Sequence, residues 1–121
     1  MRARLLLLIP LFLAGPAKSE DGYPSSDNEK MVLDLFVMGF TAAAKCTDID
    51  FDPGAMDAYR YISGLPNTAF RIVGPYGKYL REQIVSVGEG FEREPSRACA
   101  VALKALGPDS KLQPPIITRK R

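Results

Sequence analysis

Residue types that carry out chemistry are sparse in this chain. It has two cysteines, Cys46 and Cys99, and neither histidine nor tryptophan. Without histidine there is no side chain that titrates near neutral pH, and no Ser/His or Cys/His pair to activate a nucleophile. Two cysteines alone also cannot complete an ordinary structural zinc site. The cysteines lack the C-x-x-C spacing of a redox pair, which leaves a structural disulfide or two buried thiols. Carboxylates at alternate positions, Asp48, Asp50 and Asp52, invite a calcium reading. Pro53 stands where such a loop needs glycine, and Tyr59 where it needs a bidentate glutamate, so the sequence favours a helix cap instead. Gly74-Pro75-Tyr76-Gly77-Lys78 lacks the Walker spacing of a phosphate loop. No pair of carboxylates stands out for glycoside hydrolysis. These residues point away from an enzyme, with no cofactor and no metal expected.

The start of the chain decides between the two thiol readings. Arg2 and Arg4 precede ten uncharged residues, and then comes the small-residue stretch Gly15-Pro16-Ala17-Lys18-Ser19. That is the layout of a secretory signal peptide, too short in its apolar run to span a bilayer. Residues 1–19 are therefore expected to be removed, with cleavage after Ala17 or Ser19. Three of the sixteen basic residues, Arg2, Arg4 and Lys18, would leave with them. The remainder then carries 13 basic against 14 acidic residues, a net of −1, which gives no reason to expect nucleic-acid binding. A periplasmic or secreted location favours oxidation, and two cysteines allow one intramolecular pairing. Closing that loop would add about 4 kcal/mol to a domain whose total stability is roughly 5–15 kcal/mol.

The elements that must position these residues read as helices. Residues 20–25 are polar, with Gly22 and Pro24, and form a flexible leader. Ser26-Asp27-Asn28-Glu29 matches a capping box, followed by an apolar run over 31–44 that should lie at the centre of the core. Asp52 caps a second helix over 53–63 that opens on Pro53. Residues 68–73 are ambiguous. A third helix over 76–91 carries Tyr76, Tyr79, Leu80 and Ile84 at helical spacing. Pro95 opens a fourth helix, stopped at Gly107-Pro108 with Cys99, Leu103 and Leu106 on one face. Pro114-Pro115 makes residues 109–121 an extended, basic-ended tail, free to pack by Ile116 and Ile117. The expected architecture is all-α, a compact bundle of about four short helices over 26–108 with one disulfide.

With Cys46, Cys99 and four helices set out, the chain resembles the HdeA/HdeB acid-stress chaperones in layout: a signal peptide, a small helical body and two cysteines about fifty residues apart. The run Phe91-Glu92-Arg93-Glu94-Pro95-Ser96-Arg97-Ala98-Cys99, ending in Leu106-Gly107-Pro108, also resembles a pattern in alphaproteobacterial secreted proteins. The first resemblance implies an acid-activated chaperone; neither supplies functional residues. From its own residues the chain reads as a non-enzymatic binding protein with a protein partner and no integral membrane segment after signal cleavage. Tyr59, Tyr61, Tyr76 and Tyr79 are its candidate contact residues, because aromatic side chains make strong anchors. An inhibitor or immunity protein of an envelope-acting enzyme is a further alternative.

Overall fold

The helix that begins the described chain is fixed at its first turn by side chains. Ser26 Oγ accepts the Glu29 backbone N–H at 3.1 Å. The Glu29 carboxylate reaches back one residue further than a reciprocal box would, accepting from the Ser25 N–H at 2.7 Å and the Ser25 hydroxyl at 2.9 Å. Behind these caps α1 runs Asp27–Lys45. The computed structural model describes residues 21–120. The expected signal peptide and the final arginine lie outside the described residues.

After α1 come β1 (Ile49–Phe51), α2 (Pro53–Ile62), α3 (Gly77–Arg93), α4 (Pro95–Leu106) and β2 (Ile117–Arg119). Asp52 caps α2 by accepting the Ala55 N–H at 3.0 Å, with Pro53 at the first helical position. α1 lies against α3, α4, α2 and β1. Its Val32 and Ala42 join Met56, Phe91, Ala102 and Leu106 in the main core, and its Leu33 and Val37 meet Tyr79 and Leu80 of α3 in a second cluster. Four helices, three of them packed around α1, thus match the all-α expectation.

Cys46 and Cys99 form a disulfide with their Cα atoms 6.0 Å apart. It joins the C-cap of α1 to the first turns of α4, so both sides of the bundle are covalently held.

The expectation lacked a two-stranded ribbon. β1 and β2 pair antiparallel, with Ile49 opposite Arg119 and Phe51 opposite Ile117. Of the three alternate carboxylates, Asp52 is the expected helix cap, while Asp48 and Asp50 lie on the solvent side of this ribbon. Ile49 is buried and Phe51 half-buried, while Asp48 and Asp50 face out, the period-2 alternation of a strand. Asp48 is bound to Arg119 at 2.8 Å, which engages one of the basic residues at the C-terminal end. Among the described residues no group of acidic, cysteine or histidine side chains could hold a metal ion.

The tail turns and bends through residues 108–116 before β2, and it carries part of the core. Ile116 and Ile117 are fully buried. The Ile116 N–H donates to Leu106 O at 2.9 Å, and its carbonyl accepts from the Asp52 N–H at 2.8 Å. Space for this strap is made at Gly39 of α1, where a Cβ would stand 2.8 Å from Ile116 Cγ2 and 3.2 Å from the Phe51 ring. The ambiguous segment 68–73 is a chain of turns, anchored by Phe70 stacked on Phe36 with ring centroids 4.5 Å apart. The leader also folds back. Gly22 O accepts the Tyr79 N–H at 3.0 Å, and Tyr23 donates its hydroxyl to Glu82.

Candidate functional site

The four tyrosines have different fates. Tyr79 is buried against α1 and donates its hydroxyl to Asp34 Oδ1, while Lys30 Nζ holds Asp34 Oδ2 at 3.1 Å. Burial raises the Tyr79 pKa above the usual tyrosine value, and the neighbouring Asp34 carboxylate adds to the shift. The bond to Asp34 raises Lys30. Tyr76 is half-buried, raised first by burial and then by the charge of Glu29. Tyr59 is half-buried and donates to Pro114 O at 2.7 Å, fastening the tail to α2. Tyr61 alone of the four stands well out, 77% exposed. The structure therefore uses Tyr59, Tyr76 and Tyr79 for internal packing, which leaves Tyr61 as the accessible one.

A different set of residues forms two concave, mostly apolar surfaces. Two hollows flank α4 and share Met38 of α1. The first, about 400 Å³, opens between α3 and α4 over Val87, Phe91, Ala98 and Val101. The second, about 450 Å³, lies between α1 and the end of α4 over Met31, Leu35, Ala105 and Leu106. Met38 lines both hollows, and the two together are called the trough. Met31 and Val101, 55% and 51% exposed, stand on its walls.

Charge is distributed unevenly along this trough. One end carries Asp27, Lys30 and Asp34, a net of one negative charge, with Lys30 tied to Asp34. Arg93, Glu94 and Arg97 rim the other end, a net of one positive charge, with Arg97 and Glu94 3.6 Å apart. On the opposite side of α3, Lys45 of α1 meets Glu92 at 2.8 Å. That contact holds the Glu92 carboxyl below the usual carboxylate range and pins α1 to α3.

Sequence reasoning missed the trough, although a signal for it was present. α4 is apolar at Ala98, Cys99, Ala100, Val101, Ala102, Leu103, Ala105 and Leu106, more than a single buried stripe requires. Ala102 and Leu106, with Ala98, Cys99 and Leu103 half-buried beside them, supply the core, so Val101 and Ala105 are left exposed. In α1 the same excess appears as Met31, Leu35 and Met38.

Compared with protein-family models, curated proteins and solved structures, the chain matches none. Among the described residues, no helix is long and apolar enough to cross a membrane. The class defined by fold and site is a small, mostly helical protein with four helices and one disulfide.

Proposed function

We propose that the protein is exported and acts by binding a protein partner in the trough between α1, α3 and α4. The observation that carries this reading is the pairing of exposed apolar walls at Met31 and Val101 with ends of opposite charge. An amphipathic segment laid in such a groove buries its apolar side chains, and its own charges select the direction in which it lies. The disulfide supports an oxidising compartment, periplasmic or extracellular, in keeping with the leader read from the sequence. A chain without histidine has few means of acid–base catalysis at neutral pH, which supports a binding role over an enzymatic one. An inhibitor or immunity protein of an envelope enzyme is one form this role could take.

The test is affinity capture from the native envelope with wild type, Val101→Glu and Tyr61→Ala. A partner retained by wild type and Tyr61→Ala but lost with Val101→Glu supports the trough. Loss with Tyr61→Ala alone moves the contact to α2, and equal retention by all three removes the trough from the account.

A second reading, an acid-stress chaperone resembling HdeA, is favoured by a separate observation. The leader and α1 are tied to α3 by tyrosine hydroxyls donated to carboxylates, Tyr23 to Glu82 and Tyr79 to Asp34. Acid would leave the chain strongly positive as its acidic residues lose their charge, and the resulting self-repulsion would strain these ties and free apolar surface. Suppression of client aggregation at low pH but not at neutral pH supports this reading; inactivity at both disposes of it.

A further inference from the structure

We infer that the turn around Ile72 and Val73, between α2 and α3, is a docking tip for an anionic phospholipid surface. Val73 is 92% exposed and Ile72 47%, an unusual display for two adjacent aliphatic side chains. The turn that presents them is stiff. Arg81 Nη1 donates to Ile72 O at 3.1 Å, the Gly74 N–H donates to Arg71 O at 2.9 Å, and the Gly77 N–H donates to Gly74 O at 3.2 Å. At Gly77 a Cβ would sit 2.0 Å from Ile72 O, so the backbone closes this tightly only because glycine is there. A tip held ready in this way loses little conformational freedom on binding.

The surroundings identify the occupant. Ile72 and Val73 share a shallow hollow with Lys78 and Arg81, and Arg71 precedes them in the chain. Asp21 is the one carboxylate lining that hollow, while Glu82 accepts from Tyr23. The first turn of α3 contains no acidic residue, so the positive end of its dipole adds to the same field. Two exposed aliphatic side chains offer far too little area for a stable protein interface, which buries about 1,600 Å². The same pair ringed by cations fits a penetrable, negatively charged boundary: the side chains enter the acyl edge while the cations meet headgroup phosphates. This surface is separate from the trough and does not depend on it.

Vesicle flotation of the oxidised protein tests the proposal, using phosphatidylglycerol mixed with phosphatidylcholine, and phosphatidylcholine alone. Three cations near the surface should favour the anionic vesicles by roughly a hundredfold, and the preference should shrink in high salt. Ile72→Ser/Val73→Ser should stop flotation, and Arg71→Glu/Lys78→Glu should abolish the anionic preference. All four side chains are exposed, and circular dichroism verifies that each variant is folded. Val101→Glu, which lies in the trough, should float as wild type does. The proposal is overturned if neither vesicle binds, if both bind equally, or if the Ile72/Val73 variant floats unchanged. A photoreactive group at position 73 that labels envelope protein instead of lipid also overturns it.

Discussion

Several single residues do work that their identity alone does not announce. Gly39 lies in the middle of a helix, where glycine is usually unfavourable, because Ile116 and Phe51 occupy the space a side chain would need. Gly39→Ala gains helix propensity, about 1 kcal/mol, but must displace Ile116, which is wholly buried and cannot retreat. Overpacking of this kind costs about 1–3 kcal/mol. The expected result in urea titration is a net loss of stability, and a gain would show that the strap yields freely. Tyr79 makes a second prediction, at alkaline pH. Its folded pKa is raised above the ordinary 10.0, by burial first and then by Asp34. Above that ordinary value the unfolded chain releases a proton that the folded chain retains, so stability falls as pH rises through this window. Tyr79→Phe should lose about 1 kcal/mol at neutral pH through the missing hydrogen bond. It should also flatten the alkaline decline of the unfolding midpoint; an unchanged decline would place its origin elsewhere.

Among the elements, the helices were the legible part. Ser26, Asp52, Pro53 and Pro95 are termini written in residue type, because caps and first-turn prolines answer to local backbone geometry. α4 accordingly runs Pro95–Leu106 as its pattern indicates. The ribbon was less legible because Thr47-Asp48-Ile49-Asp50-Phe51-Asp52 satisfies a strand alternation and an acidic capping turn at once. What decides is a partner more than sixty residues away, β2, which a local pattern cannot contain. The tyrosines meet a related limit: type marks a good anchor, but only tertiary packing shows that Tyr79 anchors the protein to itself. β2 should therefore matter more than a short terminal strand suggests. Ile117→Ala removes a fully buried side chain and should cost about 2–5 kcal/mol. Ser26→Ala, which removes one exposed cap, should cost about 1 kcal/mol. Thermal unfolding of the two variants side by side gives the order, and a larger loss from Ser26→Ala would contradict the strap's place in the core.

For the whole molecule, the disulfide and the trough form one mechanical unit. Cys99 adjoins Ala98, which lines the trough, and its partner Cys46 ends the helix that carries Met31, Leu35 and Met38. Opening the bond frees the start of α4 from α1, so the walls lose their fixed spacing. Replacing both cysteines by serine should lower stability by about 4 kcal/mol, read as a drop in the urea midpoint; an unchanged midpoint would show that packing alone holds α4. The most direct test of the central claim places a photoreactive amino acid at position 101 and irradiates the protein in a total extract of its source cells, with the same group at exposed Lys104 as reference. The account expects a discrete covalent adduct with one protein from position 101, absent from position 104 and lost when the disulfide is reduced. Equal labelling from both positions, or none from position 101, would contradict it.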